Sequence, residues 1–166
     1  MVAVLLSQSA CASAQQTCSG PADAARSLTS VAAVRLAGRV TDQANVLSAE
    51  QRLRLSRELE QFERATKHQM VVVTVRSLRG RNVSDFARDL SNSWGIGRKC
   101  YNDGITLLVA PNERKVRIAV GYGLEKTLTH DLSQRIINQE IVPAFRRGDL
   151  PGGIEAGTHA LIAAAR

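Results

Sequence analysis

The chain of 166 residues carries a net charge of +7, with 44% hydrophobic and 22% charged residues, which suits one globular domain and excludes a wholly disordered chain. No run of 18 apolar residues occurs, so the sequence contains no complete transmembrane helix. A net positive charge favours the binding of polyanions such as nucleic acids, but acidic residues are interleaved with the basic ones along the chain. The local cluster of Arg76, Arg79 and Arg81 has no aromatic neighbour on which a nucleic-acid base could stack. We therefore expect no nucleic-acid partner.

The first twenty residues have the pattern of the end of a secretory signal peptide. Val2 to Leu6 is apolar, and Ala12-Ser13-Ala14 has the small-x-small spacing of a cleavage site. No Lys or Arg precedes the apolar run, so the signal is either truncated or weak, and a cytosolic N-terminus is the alternative. An exported protein of the periplasm or cell envelope is the expectation. The predicted organisation is a signal peptide over residues 1–14, a linker over 15–35 and one domain over 36–166.

Cysteine usage agrees with export. The three cysteines are Cys11, Cys18 and Cys100, and cleavage after Ala14 would remove the first and leave a pair. An oxidising compartment could join that pair, so a Cys18–Cys100 disulfide is a hypothesis. Because the sequence has no CxxC and no close Cys/His grouping, cysteine ligation of a metal is not expected.

The first half of the predicted domain alternates helix, strand and helix. Ser48-Ala49-Glu50-Gln51 is a capping box that opens a helix. The apolar residues of this helix follow at helical spacing, and they are Leu55, Leu59, Phe62 and Ala65. Gln69 to Val75 is almost continuously apolar and is predicted as a strand buried on both faces. A second helix is expected from Val83 to Trp94, where Gly95 ends it.

The second half begins with a predicted hairpin and ends with helices. Gly104 to Ala110 is the second buried-type strand, and Lys115 to Val120 alternates basic and apolar residues, as an antiparallel partner should. Helices are predicted from about His130 to Ile141 and from Pro151 to Ala165, with a bend at Pro143. The predicted fold is therefore of the α/β class. It is a three-layer α/β/α sandwich with a small mixed sheet that contains a β-hairpin.

Acidic residues stand where the chain changes element. Asp42 precedes the first helix, Asp103 comes just before a strand, and Glu125 follows the last strand. If the sheet brings these ends together, the oxygens could hold a hard cation such as Ca²⁺ or Mg²⁺, although each residue also suits an ordinary turn. The sequence has no GxSxG, P-loop, GxGxxG or HExxH motif. The three histidines (His68, His130 and His159) are scattered and are expected at the surface.

Several short motifs occur in an order that is similar to that of the TPM domain family, whose members include thylakoid-lumen, photosystem-repair and MOLO-type proteins and many exported bacterial proteins. The resemblance covers about Leu36 to Ile162. The motifs are Val40-Thr41-Asp42, Trp94-Gly95-Ile96-Gly97, Asn102-Asp103-Gly104-Ile105, Gly121-Tyr122-Gly123-Leu124-Glu125, Ile141-Val142-Pro143-Ala144-Phe145 and Gly148-Asp149.

The resemblance implies an α/β/α sandwich and a divalent-cation site. Several bacterial members bind calcium or another divalent ion, so Asp42, Asp103 and Glu125 are the metal-ligand candidates, with calcium as the expected cofactor. The three carboxylates should then converge at one end of the sheet. Many relatives place an Asp after the Leu-Thr pair, where this chain has His130; one carboxylate is therefore missing or displaced.

Two functions follow as hypotheses. The first is an exported accessory protein of the bacterial envelope, which binds a calcium-like cation and supports the assembly or maintenance of a membrane complex. Its partner would be a membrane protein complex or an anionic lipid surface. The alternative is a metal-dependent, acid-phosphatase-like phosphomonoester hydrolase, as the plant members of the family suggest. Because no nucleophile is recognisable, the accessory role is favoured and the catalytic residues are unknown.

Overall fold

The structure, a computed structural model, describes residues 34–166. The predicted signal peptide, and most of the predicted linker with Cys18, lie outside the described residues. Within 34–166, no helix combines the length and apolar character needed to span a bilayer. The strands are β1 (Val40–Asp42), β2 (Gln69–Thr74), β3 (Gly104–Ala110) and β4 (Lys115–Val120), and the helices are α1 (Ala49–Thr66), α2 (Val83–Trp94), α3 (His130–Ile136), α4 (Val142–Arg146) and α5 (Leu150–Ala164).

One mixed sheet with the strand order β1-β2-β3-β4 organises the domain. Strands β1, β2 and β3 run parallel, and β4 returns antiparallel to β3. The prediction that β2 and β3 are central and buried is confirmed, because every residue of β3 and five of the six residues of β2 are buried. The predicted hairpin of β3 and β4 is confirmed too.

Helices cover both faces of the sheet, so the predicted three-layer α/β/α sandwich is confirmed. On one face, Phe62 of α1 and Leu161 of α5 pack with Leu107 of β3 in the larger core. On the other face, Phe86 and Leu90 of α2 pack in a smaller core, which includes alternate residues of β2 and β3. Because successive side chains of a strand point to opposite faces, β2 and β3 supply both cores with alternate residues.

The predicted start of α1 and the predicted end of α2 are both confirmed. The Ser48 side chain accepts a hydrogen bond from the Gln51 N–H (3.1 Å), and the Gln51 side chain accepts from the Ser48 N–H (2.9 Å), which completes the capping box. Asn82 caps α2, and Gly95 ends it in the left-handed conformation with a φ of 61°. Of the apolar residues expected on the inner face of α1, only Ala65, in the last turn, is exposed.

Two local features differ from the sequence prediction. Strand β1 was not predicted, because three residues are too few to show alternation; its pairing with β2 makes it a strand. The helix expected over 130–141 is α-helical only to Ile136, and a π-helical segment, Ile137–Ile141, follows. The Val142 N–H bonds to the Ile137 carbonyl, five residues back. Pro143 has no N–H to continue the α-helical ladder, which accounts for the widened turn at this point.

Candidate functional site

Asp103 is a buried carboxylate held by charged partners. Its side chain is 3% exposed. One oxygen accepts a hydrogen bond from the Arg98 backbone N–H at 2.7 Å. The other accepts from the Arg98 guanidinium through Nε at 2.7 Å and Nη2 at 2.6 Å, and it lies 3.1 Å from His68 Nδ1. Burial alone would raise the pKa of Asp103, but the hydrogen bonds from Arg98 and His68 outweigh it and hold the pKa below its ordinary value.

The backbone around Asp103 is packed too closely for side chains. A Cβ on Gly104 would lie 2.3 Å from the Ile96 carbonyl oxygen, and one on Gly97 would lie 2.5 Å from the Gly104 nitrogen. Gly97 also has a φ of 102°, which favours glycine. Its N–H donates to the Gln69 side chain at 2.8 Å. The loop between α2 and β3 is therefore fixed against the first residues of both central strands.

The Gly121–Glu125 segment packs against the same loop. The Gly121 N–H donates to the Gly104 carbonyl at 2.8 Å, and the Gly123 N–H donates to the Asn102 carbonyl at 3.0 Å. A Cβ on Gly121 would lie 2.0 Å from the Asn102 carbonyl oxygen, and one on Gly123 would lie 2.0 Å from that of Tyr101. Glycine at both positions thus permits the contact. We call the backbone contacts among Gly97, Gly104, Gly121 and Gly123 the glycine seam.

Glu125 is exposed, and its carboxylate has no hydrogen bond or ion pair within residues 34–166. It lines a cleft of about 290 Å³ together with Asn102, Tyr122 and Arg117. Residues of α2, including Ser91 and Asn92, also line this cleft. We call this space the α2 cleft. Tyr122 is 80% exposed at its rim.

Asp42 lies at the C-terminal end of β1, and its side chain is fully buried. It accepts hydrogen bonds from the Val46 N–H at 3.1 Å and the Leu47 N–H at 2.9 Å. The Thr74 hydroxyl donates to it as well. The guanidinium of Arg52 is 4.0 Å away. These donors occupy both carboxylate oxygens, so the residue fixes the turn between β1 and α1.

The expected convergence of Asp42, Asp103 and Glu125 does not occur. Asp42 pairs with Thr74 at the C-terminal end of β2, whereas Gly104, which follows Asp103, pairs with Gln69 at its N-terminal end. Five residue steps of strand, roughly 16 Å, separate the two ends. Asp42 is the last residue of β1, and Asp103 directly precedes β3, which runs in the same direction, so the two residues lie at opposite ends of the sheet. The antiparallel return of β4 brings Glu125 to the Asp103 end.

The carboxylates do not form a three-acid metal centre. Within 34–166, no three residues of the His, Cys, Asp or Glu types are grouped so as to hold a metal ion. A hard cation prefers six to eight oxygen ligands. Protein donors already occupy the oxygens of Asp42 and Asp103, which leaves Glu125 and the side-chain and backbone oxygens around it.

Sequence reasoning missed His68 as a partner of Asp103, because its ring was expected only to be a surface group. The signal was the register of two parallel strands. Since Gln69 pairs with Gly104, the residues just before them, His68 and Asp103, are also neighbours. The contact could be predicted only if the register between β2 and β3 were known, and the sequence alone does not give that register.

Cys100 is exposed and lies next to Tyr101, close to the glycine seam. It is disulfide-bonded. Its predicted partner, Cys18, lies outside the described residues, so the Cys18–Cys100 pairing stays a prediction.

Comparison with known proteins places this arrangement in a family. The model of the TPM domain matches residues 40–164. Among curated proteins, none matches the sequence. The N-terminal domain of a protein from P. gingivalis, solved by NMR, is 33% identical with a TM-score of 0.71, and the match covers 75% of this chain and 80% of that one.

Two further NMR structures share the fold. The N-terminal domain of the cg2496 protein from Corynebacterium glutamicum is 16% identical with a TM-score of 0.61, over 80% of this chain and 82% of that one. The BA42 protein from the psychrophilic bacterium Bizionia argentinensis is 19% identical with a TM-score of 0.62, over 72% of this chain and 81% of that one. At these identities the likeness shows the fold alone. The family match, together with the domain from P. gingivalis, shows that this chain belongs to the TPM domain family.

Proposed function

We propose that this protein is a non-catalytic accessory domain, exported to the bacterial envelope, where it supports the assembly or maintenance of a membrane complex. The observation that carries this proposal is the set of hydrogen-bond partners of the aspartates and histidines, the groups that could take part in catalysis. Both buried aspartates are held by fixed donors. Within residues 34–166, no hydroxyl or thiol is hydrogen-bonded to a histidine ring, since His68 and His159 bond to carboxylates and the His130 ring has no partner. An adjacent histidine is a common base for activating a hydroxyl or thiol nucleophile, and the described residues do not supply that pairing.

We further propose that the domain binds a calcium-like divalent cation weakly at the Gly121–Glu125 turn. The Glu125 carboxylate and the Asn102 amide line the same cleft, and neither is engaged in a side-chain hydrogen bond within the described residues. Water and backbone carbonyls would supply the remaining oxygens. With one available carboxylate, the expected dissociation constant is about 10⁻⁴–10⁻³ M, as in extracellular calcium modules.

An NMR titration tests the cation proposal. Calcium should shift the amide signals of Asn102, Tyr122 and Glu125 and leave those around Asp42 unchanged. Glu125→Gln should abolish these shifts, whereas Glu140→Gln, at an exposed glutamate in the π-helical segment, should retain them. Shifts that persist in Glu125→Gln, or that centre on Asp42, would contradict the proposed location.

A phosphomonoester hydrolase is the second candidate. One observation favours it: Arg88 and Arg117 line the α2 cleft with Ser84 and Ser91, a combination that suits a phosphoryl group. We expect the wild type to hydrolyse p-nitrophenyl phosphate no faster than Arg117→Gln, with calcium or with chelator. Turnover that depends on the metal and is lost in Arg117→Gln would favour the hydrolase over the accessory role.

The proposed export is tested by expression of the full chain in a bacterium. We expect the protein in the periplasmic fraction with an N-terminus at Gln15, because cleavage is predicted after Ala14. Non-reducing intact mass should then show a bridge between Cys18 and Cys100. Retention of the complete chain in the cytoplasm would contradict the predicted signal.

A further inference from the structure

The outer edge of β4 has no backbone partner within residues 34–166. The hydrogen bond from the Gly121 N–H to the Gly104 carbonyl fixes which residues of the antiparallel ladder are bonded to β3. By the alternation of such ladders, Val116, Ile118 and Val120 direct their N–H and C=O groups away from β3. No backbone hydrogen bond joins these groups to another part of residues 34–166. An unpaired edge of this kind is a template for another strand.

The edge is regular over its whole length. All six residues of β4 pair with β3 in unbroken register, without a bulge, and the strand contains no proline. The opposite edge of the sheet differs, since β1 has only three residues. Of the protective devices that natural sheets use on their edges, residues 34–166 give β4 only charge, at Lys115 and Arg117. Those like charges oppose pairing with a second copy of the same strand.

Open space lies on both sides of the edge. The α2 cleft is on one side. A second cleft, the α3 cleft, is lined by Ile118, Leu128, His130 and Ser133. Arg117, Val120 and Glu125 line both clefts. A strand added to β4 would direct alternate side chains into them.

Ser133 gives an independent sign that the α3 cleft receives a ligand. The residue is 5% exposed, and its hydroxyl has no hydrogen-bond partner in the part of the chain that the structure describes. Buried polar groups are almost always satisfied, so an orphaned hydroxyl on a cleft wall marks a place for a polar group from outside. A polar atom near the end of the added strand would meet this need.

The charges around the edge select the partner. Arg117 has no ion pair within the described residues. At the other end of β4, a cleft of about 610 Å³ is lined by Arg114, Lys115 and Arg146 together with apolar residues such as Phe145. Among residues 34–166, Glu125 is the only acid that lines these three clefts. An acidic segment therefore complements the edge.

We propose that β4 binds an extended, acidic segment of a partner polypeptide by strand addition. Lys115 and Arg117 lie on the α2 side of the strand and would take acidic side chains. Val116 and Val120 pack against the larger core on the other side and would take apolar ones. The partner segment should therefore alternate acidic and apolar residues over about six positions. This inference gives the accessory role a docking surface and does not depend on the cation.

The test uses the full chain in the presence of EDTA, so that failure of the cation proposal leaves it unaffected. A fluorescent peptide with alternating Asp and Val should bind, and a peptide of the same composition in block order should not. Two further peptides carry backbone N-methyl groups on alternate residues, one on the odd and one on the even positions. One of them should lose binding and the other should keep it, because only one of the two sets of N–H groups faces β4. Arg117→Gln should weaken binding about fivefold, and Arg135→Gln, at an exposed residue of α3, should not.

Hydrogen exchange of the free protein completes the test. The amides of Val116, Ile118 and Val120 should exchange rapidly without the peptide and become protected with it. Protection in the free monomer would mean that another segment of this chain occupies the edge. Protection that rises with protein concentration would mean pairing of two copies. Either result, or equal binding of the block peptide, would overturn the proposal.

Discussion

Asp42 and Asp103 are both buried aspartates at strand ends, but their partners differ in charge. Asp42 is held mainly by neutral donors, two backbone N–H groups and the Thr74 hydroxyl. Asp103 is held by the Arg98 guanidinium and by the His68 ring, besides one backbone N–H. The first arrangement fixes a local turn between β1 and α1. The second joins the beginnings of β2 and β3 to the loop that follows α2, so it depends on ionisation as well as on shape.

The largest effect is expected at the Asp103 end, from Gly121→Ala. The new Cβ would meet the Asn102 carbonyl, a backbone atom that cannot rotate away. We expect the free energy of unfolding to fall by about 3 kcal/mol, measured by urea denaturation. Gly80→Ala is the control: it places a Cβ in open space at a φ of 76°, and it should cost only about 1 kcal/mol. Equal losses would show that the seam is not tightly packed.

The two aspartates can be compared directly with isosteric amides. Asp103→Asn removes the charge that holds Arg98, and we expect a loss of about 2 kcal/mol, moderated because the 41%-exposed Arg98 can turn to water. Asp42→Asn keeps one acceptor oxygen but turns an NH2 group toward a donor at the other position; because the donors are mainly neutral, it should cost only about 1 kcal/mol. The measurement is again urea denaturation at neutral pH. A larger loss in Asp42→Asn would reverse the comparison.

The contribution of Asp103 to stability should also depend on pH. The pKa of Asp103 is lowered by Arg98 and His68 against the opposing effect of burial. The ionised Asp103 side chain therefore contributes fully to stability at pH values above its unfolded pKa of 3.8. This contribution is lost as the pH falls through the lower pKa of the folded state. The stability gap between wild type and Asp103→Asn should narrow below about pH 4.

Glu113 provides the control for the acid experiment. Hydrogen bonds from the Ser77 hydroxyl and the Leu78 N–H lower its pKa from 4.5, so Glu113→Gln should remove a separate part of the acid dependence. Denaturation curves between about pH 2.5 and pH 7 measure both variants. A gap between wild type and Asp103→Asn that stays constant down to the lowest pH would contradict the role assigned to ionised Asp103.

The smallest expected effect distinguishes two histidine–carboxylate contacts. His68 is 24% exposed and bonds to buried Asp103, whereas His159 is 58% exposed and bonds to Glu58 at the surface. We expect His68→Ala to lower the free energy of unfolding by about 1 kcal/mol and His159→Ala by less than about 0.5 kcal/mol. Thermal denaturation of both variants is sufficient. Equal shifts would show that the burial of Asp103 adds nothing to the contact.

The sequence predicted the central sheet well because its signals are local. Continuous apolar runs identified β2 and β3, alternation identified β4, and Gly95 marked the end of α2. The resemblance to the TPM domain family was confirmed. Strand β1 was missed because its existence depends on pairing with β2, and the π-helical segment depends on an unusual hydrogen bond rather than on a residue pattern.

The candidate site was predicted only in part, because the direction of each strand decides which ends meet. The sequence shows that Asp42, Asp103 and Glu125 stand at element junctions, but not that β1 and β3 run the same way. It also does not show that Arg98 and His68 saturate Asp103. Contacts between residues distant in sequence decide both points.

The glycine seam also limits how this protein can evolve. At Gly121 and Gly123 the obstructing atoms are carbonyl oxygens of the facing chain, and at Gly104 the obstructing atom is the carbonyl oxygen of Ile96. A clash with a side chain can be relieved by a second mutation that shortens that side chain. A clash with a carbonyl oxygen offers no such suppressor, since every residue carries the same oxygen. In a saturation library these positions should therefore stay glycine even in genetic backgrounds that are stabilised elsewhere, and lineages that lose one would have to rebuild the loop by insertion or deletion.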